Sequence, residues 1–119
     1  MKVANVRRQI ERALAFTGGT HTVDDVLEMV ERGELQLWQG DDSIIVTQIL
    51  TYPRLKELCF FLAAGRMAGM KSMAPIILQW GRDQHCARAV FAGRPGWART
   101  FLTQEDGWRN PMQVFEKEL

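Results

Sequence analysis

The segment ELCFFLAAGRMAGMKSMAPIILQWGRDQHCARAVFA, residues 57–92, decides the fold. It opens with an apolar, β-rich run that predicts a strand over 57–63, and it closes with a shorter predicted strand over 88–92. Between them, apolar residues recur at helical spacing and predict a helix over 66–84, in which Pro75 favours a kink or a late start. A strand, a helix and a strand in this order form a crossover, which is right-handed and lays the helix over the sheet.

Two further strands are predicted upstream of this segment. Residues 35–38 alternate between apolar and polar, and residues 43–50 are dense in β-branched side chains. Short turns at 40–42 and 51–54 separate the predicted strands, and the second turn contains a proline that cannot donate to a central ladder. Turns this short join neighbouring strands, so the three strands before the crossover are expected to form an antiparallel meander.

Two amphipathic helices precede the strands. Apolar residues at helical spacing predict the first over 3–14, and the Thr-Gly-Gly sequence at 17–19 ends it. Thr22 is the predicted N-cap of the second helix, and Asp25, three residues later, completes a capping-box pattern. The second helix is predicted to end at Gly33.

After the crossover, the glycine-rich turn at 93–96 leads into a helix predicted to run through about residue 102, and residues 112–118 predict a final strand. The resulting order is α-α-β-β-β-α-β-α-β, an α/β (α+β) fold with a mixed sheet. No repeat, low-complexity tract or linker interrupts it. Residues 1–119 are therefore predicted to form a single domain.

Composition excludes several classes of protein. Hydrophobic residues make up 46% and charged residues 24%, the balance of a globular domain. With 15 basic and 14 acidic residues the net charge is +1, so the chain carries no global field for nucleic acid or an anionic membrane. The longest nearly apolar run, 58–64, is too short to cross a bilayer, and the N-terminus has no apolar signal core. Two cysteines indicate no disulfide framework, so a reducing cytoplasm is expected.

The predicted element order resembles that of the GNAT acetyltransferase superfamily without its first strand. Short motifs narrow the resemblance to small GNAT-like proteins encoded in tailed phages and prophages. They are Thr17-Gly18-Gly19-Thr20-His21, Gln36-Leu37-Trp38, Val46-Thr47-Gln48-Ile49, Tyr52-Pro53-Arg54 and Gly93-Arg94-Pro95-Gly96-Trp97. The similarity extends over nearly the whole chain, and it lies in the spacing of elements and in short motifs.

The resemblance implies a site for acetyl-CoA after the third predicted strand. In the superfamily a Gln/Arg-x-x-Gly-x-Gly/Ala motif presents backbone amides to the pyrophosphate, and Arg66 and Gly69 match it here. Lys71 stands where the motif has a small residue, where it would either block the backbone or add a cation for the phosphate. The alternative is an ordinary strand-to-helix loop with a glycine turn.

The residues that the superfamily uses for proton transfer are not evident. The helix expected to carry a tyrosine acid has none, and the only tyrosine, Tyr52, lies in a predicted hairpin turn. Glu57 begins a strand, and three further acids, Asp41, Asp42 and Asp83, are expected in turns or at the surface. No catalytic residue is therefore assigned. Paired cysteine or histidine spacings that would bind a metal are also missing.

These gaps favour a non-catalytic GNAT-like protein of phage or prophage origin, a pseudoenzyme without cofactor. It would act through contacts with other phage structural proteins or with itself, as a virion-associated or assembly component in the host cytoplasm or the virion. No membrane partner is expected, and nucleic acid is disfavoured. The alternative is an acetyl-CoA-dependent N-acetyltransferase with Arg66, Gly69 and Lys71 at the pyrophosphate.

One further surface is predicted at the second glycine-rich turn. Arg94, Trp97 and Arg99 form a possible interface, in which the tryptophan would stack and the arginines would hold a phosphate or a partner. The alternative places Trp97 in the core and both arginines in solvent.

Overall fold

A computed structural model describes residues 3–93 and 107–119 of the chain. Helix α1, Val3–Leu14, and helix α2, Val23–Glu31, come first, as the sequence predicts. Thr22 is the N-cap of α2: its hydroxyl accepts from the Asp25 amide, and the Asp25 carboxylate accepts from the Thr22 amide. That backbone hydrogen bond to Thr22 is the main cause that lowers the pKa of Asp25 below its ordinary value. The predicted capping box is confirmed.

Four strands follow in one sheet, interrupted by a third helix. They are β1 Gln36–Gln39, β2 Ser43–Thr51, β3 Lys56–Gly65 and, after helix α3 Met67–Asp83, β4 Arg88–Val90. The spatial order is β1-β2-β3-β4, with β1, β2 and β3 antiparallel and β4 parallel to β3. The predicted meander and crossover are confirmed, and so is the mixed α/β (α+β) class.

The two faces of the sheet carry separate cores. Helices α1 and α2 cover one face, where Ile10 and Val26 are fully buried against Ile44, Val46 and Leu62 of the sheet. Helix α3 covers the other face, where Met70 and Ile77 pack against Ile45 and Leu58. Alternation along β2 sends successive side chains into opposite cores, which fixes the register of the sheet.

Helix α3 approaches the sheet closely. It starts at Met67 and contains Pro75 without interruption, so the proline does not delay its start. A Cβ at Gly81 would lie 2.7 Å from Leu58 Cδ2, so a larger residue there would require the buried Leu58 side chain to shift. No helix within residues 3–93 and 107–119 is long and apolar enough to cross a membrane.

The C-terminal part differs from the prediction. The predicted helix through residue 102 lies outside the described residues. The predicted strand over 112–118 is wrong, because residues 108–119 form no strand. Val114 and Phe115 are adjacent and both exposed, so the run lacks the strict alternation that would bury one face against a neighbour. The assignment of residues 1–119 to a single domain stays a prediction.

Candidate functional site

Strands β3 and β4 separate after only three paired positions. Their pairing ends at Cys59 opposite Val90, whereas β3 continues to Gly65. Immediately after the last pair, the register with β2 shifts: Thr47 faces Phe60 and Val46 faces Leu62, which leaves residue 61 without a partner. Such a β-bulge bends its strand and increases the local twist. The bulge therefore lies where the two parallel strands part.

The separation leaves one edge of β3 open. Along residues 60–65, no described strand pairs with β3 on the side where β4 would continue. An unpaired edge presents backbone N–H and C=O groups that require partners. This edge can therefore bond to an extended ligand that carries amide groups.

A cavity of about 1110 Å³ opens along this edge, and we call it the β3–β4 cavity. Its lining comes from β3, the segment after β4, the beginning of α3, the end of α1, and two residues near the C-terminus. These residues are Gln9, Arg12, Ala13, Phe16, Thr17, Thr20, Asp42, Ile45, Phe60–Gly65, Arg66, Met67, Met70, Ala74, Phe91–Gly93, Val114 and Glu116. Among the described residues most of the wall is apolar, and four of the lining side chains are charged: Arg12, Asp42, Arg66 and Glu116.

One end of the β3–β4 cavity is the N-terminus of α3. Arg66 is the N-cap residue, with extended backbone and no side-chain cap, and the first turn contains no acidic residue. Uncapped first-turn amides and the helix dipole favour an anion at this position. The Arg66 side chain is exposed, and its Nε lies 3.8 Å from Oδ2 of Asp42. Arg66 is thus placed where the sequence predicts a phosphate contact, with a carboxylate beside it.

Gly69 and Lys71 follow Arg66 on helix α3. A Cβ at Gly69 would collide with the buried Ser43 side chain, so helix–sheet packing accounts for this glycine. Lys71 is exposed and lies beyond the first turn of α3. Both predicted alternatives, that Lys71 blocks the backbone or that it adds a cation for the phosphate, stay predictions.

The sequence reasoning missed Gly65, which makes the turn from β3 into α3. Its φ is +105°, and a Cβ there would lie 2.5 Å from Ser43 Cα. Only glycine fits this backbone, because side chains disfavour positive φ and the β2 backbone lies alongside. Its position directly between a predicted strand and a predicted helix was the available signal.

Most of the acids and the tyrosine named from the sequence lie away from the β3–β4 cavity. Tyr52 and Glu57 are at the opposite end of β3: the Tyr52 amide donates to Leu55 O in the hairpin turn, and the Glu57 carboxylate, with 7% of the residue exposed, pairs with Arg88. Asp41 and Asp83 are exposed and do not line the cavity. Asp42 does line it.

The C-terminal segment and the α1–α2 loop also line the cavity. The Trp108 ring contacts Phe91 edge-on, with centroids 5.2 Å apart, and Glu116 of the same segment belongs to the cavity lining. The His21 ring contacts Phe61 in the same way at 4.9 Å. Glu116 was not found from the sequence, because no pattern in a segment without regular structure indicates what it lies against.

Cys59 is half-buried and does not line the β3–β4 cavity. Burial raises the pKa of the Cys59 thiol, against a hydrogen bond with Gln48 that lowers it, so this cysteine is a poor nucleophile. Within residues 3–93 and 107–119, no group of three or more His, Cys, Asp or Glu side chains could hold a metal ion. Arg94, Trp97 and Arg99 lie outside the described residues, and their role as an interface stays a prediction.

Comparison with solved structures identifies the fold. A probable acetyltransferase matches with a TM-score of 0.72 and 8% identity, over 98% of this chain and 90% of that chain. An acetyltransferase from Trypanosoma brucei matches with a TM-score of 0.69 and 7% identity, over 98% and 92%. A transcriptional regulator from Bacillus halodurans C-125 matches with a TM-score of 0.72 and 6% identity, over 100% and 96%. No protein-family model and no curated protein matches the sequence.

At these identities the likeness shows the fold alone, and the chain has the GNAT-like acetyltransferase fold. The prediction of a non-catalytic phage component is wrong. Two of the similar structures are named acetyltransferases, and this finding favours the acetyl-CoA alternative. The prediction rested partly on a phosphate loop damaged by Lys71, and that residue lies beyond the first turn of α3. A phage or prophage origin stays a prediction from short sequence motifs.

Proposed function

We propose that the chain is an acetyl-CoA-dependent N-acetyltransferase. The observation that carries the proposal is the open edge of β3, residues 60–65, along a cavity that ends at the uncapped N-terminus of α3. Acetyl-CoA has matching parts, because its pyrophosphate is an anion and its pantetheine arm contains amides. When bound, it supplies an acetyl thioester to an acceptor amine.

The residues fit this cofactor in two places. The backbone amides at the start of α3, which include that of Gly69, and the Arg66 guanidinium would hold the pyrophosphate, and Lys71 on the next turn would add positive charge. The free N–H and C=O groups along 60–65 would bond to the amides of the arm, as an added strand does. At about 3.3 Å per residue the open edge is roughly 20 Å long, enough for an extended chain of that kind.

Glu116 is the residue that best fits a proton acceptor for the amine. Two carboxylates among the described residues line the β3–β4 cavity, and one of them, Asp42, lies beside Arg66 at the start of α3. Glu116 lines the same cavity and has no ion pair among the described residues. A general base must reach the acceptor amine, and a carboxylate on the cavity wall satisfies that requirement. No tyrosine lines the cavity, so water would protonate the departing thiolate.

Binding is tested by calorimetry and thermal denaturation with acetyl-CoA. At one hundred times the dissociation constant, the cofactor adds about 2.7 kcal/mol to the free energy of unfolding, a shift of several degrees. Arg66→Gln is expected to weaken binding, whereas Arg82→Gln, an exposed cation near the far end of the same helix, should leave it unchanged. Absence of any shift at millimolar cofactor would refute the proposal.

Turnover is tested by following the release of free coenzyme A thiol with a panel of amines. Glu116→Gln is expected to lower kcat on the order of a hundredfold while cofactor binding stays intact, because it removes the base and keeps the shape of the side chain. Glu118→Gln, a second exposed acid in the same segment that does not line the cavity, is the matched control. Equal kcat for both variants would assign the base elsewhere.

A further inference from the structure

Helix α1 supplies a polar part of the β3–β4 cavity that the cofactor does not account for. The pyrophosphate is assigned to α3 and the pantetheine arm to the edge of β3, which leaves the wall formed by α1 and the loop after it. Its residues are Gln9, Arg12, Ala13, Phe16, Thr17 and Thr20. Since the acceptor amine must enter the same cavity, this wall is where it would bind.

Gln9 contains an unsatisfied hydrogen-bond acceptor in this wall. Its Oε1 is buried and has no hydrogen-bond partner in the part of the chain that the structure describes. A buried amide oxygen without a partner is unfavourable, so such atoms are uncommon in folded proteins. Gln9 also lines the cavity, so a rotation of its side-chain amide would present this oxygen to a ligand N–H there.

Arg12 places a cation one turn further along the same helix face. Residues three positions apart on a helix are neighbours, so the Gln9 amide and the Arg12 guanidinium border the same part of the cavity. Arg7, by contrast, does not line the cavity, and its Nη2 pairs with Asp24 Oδ1 at 3.0 Å. Arg12 has no ion pair among the described residues. Its planar fork of donors is suited to a carboxylate.

We infer that the acceptor is a free amino acid with an apolar side chain, whose carboxylate binds Arg12 and whose amine donates to Gln9 Oε1. This inference rests on the proposed function. The apolar side chain follows from Ala13 and Phe16, which lie on the same wall. A zwitterion also matches the signs of charge in the cavity, with Arg12 for the carboxylate and Glu116 for the amine.

The transfer step balances with these groups. The amine nitrogen attacks the thioester carbonyl carbon, a C–N bond forms, and the C–S bond breaks. The ammonium group of the zwitterion would first give one proton to the Glu116 carboxylate, which passes it to water, so that the nitrogen can attack. The nitrogen would lose a second proton to water as the amide forms, and the coenzyme A thiolate would take one proton from water. The products are an N-acetyl amino acid and free coenzyme A.

The experiment compares leucine, leucinamide and 3-methylbutylamine as acceptors. They share the amine and the branched apolar chain and differ in the carboxylate. We expect kcat/KM to be at least about tenfold higher for leucine, since a charge-assisted bidentate contact is lost with the other two. Arg12→Gln should remove that preference chiefly through KM and leave 3-methylbutylamine unaffected.

Two further variants separate the roles of the contacts. Arg8→Gln, an exposed arginine of α1 that does not line the cavity, should behave as wild type. Gln9→Leu should lower kcat/KM for all three amines, because the amine is common to them. Calorimetric binding of leucine to the coenzyme A complex, present in wild type and lost in Arg12→Gln, provides a readout independent of turnover.

The outcomes distinguish this inference from the proposed function. If acetyl-CoA does not bind, both fail. If acetyl-CoA binds and amines are acetylated, but the three acceptors react equally or Arg12→Gln retains the preference, the amino-acid assignment is overturned and the acetyltransferase proposal stands. The assignment is supported if wild type and Arg8→Gln both prefer leucine and Arg12→Gln does not.

Discussion

Replacing Gly69 by alanine should destabilise the fold through Ser43, a residue of the adjacent strand. A Cβ at position 69 would overlap Ser43 Oγ and lie 3.1 Å from Ser43 Cβ, and Ser43 has no exposed surface. Overpacking of this kind typically costs about 1–3 kcal/mol, and the higher helix propensity of alanine returns about 1 kcal/mol. Because the added Cβ overlaps a buried atom outright, the overpacking cost belongs in the upper part of this range, about 2–3 kcal/mol, and the net loss is about 1–2 kcal/mol, or roughly 4–8 °C in Tm.

Ser43→Ala provides the control for this reasoning. It removes Ser43 Oγ, a buried hydroxyl oxygen without a hydrogen-bond partner, so alone it should be neutral or stabilising by about 1 kcal/mol. In its background the cost of Gly69→Ala should fall below about 1 kcal/mol, because only the contact between the two Cβ atoms remains. Urea denaturation of the four proteins measures the coupling. An unchanged Tm for Gly69→Ala, or equal costs in both backgrounds, would refute the packing explanation.

Three other substitutions test separate contacts. Asp42→Asn removes the carboxylate beside Arg66 and should tighten acetyl-CoA binding by up to about fivefold, with a smaller gain at high salt. Calorimetry at two salt concentrations measures this gain, and weaker binding would contradict the prediction. Arg88→Leu leaves the Glu57 carboxylate buried without a cation and should cost about 2 kcal/mol in urea denaturation, recovered in part by a second change, Glu57→Gln. Because burial raises its pKa, Cys59 should react with iodoacetamide more slowly at pH 8 than an unhindered thiol does, with a rate that still rises above pH 9; mass spectrometry of the labelled peptide measures that rate.

Local sequence signals were sufficient for the elements between residues 3 and 90. The Thr22–Asp25 capping box, the β-branched run of β2 and the helical spacing in α3 act over a few residues each, and each predicted element is present. The C-terminal strand failed because its prediction needed a partner strand, and two adjacent apolar residues, Val114 and Phe115, cannot both face one side of a sheet.

The candidate site was only partly predictable, because its geometry depends on residues far apart in the chain. Arg66 was found from a motif, since the anion site at a helix start is local. The burial of the Gln9 oxygen depends on how α1 lies over β3. Glu116 lines the cavity from a segment without regular structure, whose position no local pattern indicates. Amphipathic spacing on α1 shows a polar residue at position 9 and gives no sign of its burial.

The single unpaired residue of the bulge gives β3 one position at which its length can change. Phe60 faces the core under α3, whereas Phe61 and Leu62 both face the core under α1, so the alternation skips one step there. Loss of residue 61 would leave Leu62 opposite Val46 and on the same face, and it would extend regular geometry into the gap beside β4. Elsewhere in β3, one residue more or less would exchange the two faces for everything that follows, so single-residue insertions and deletions are expected to be tolerated only at the bulge.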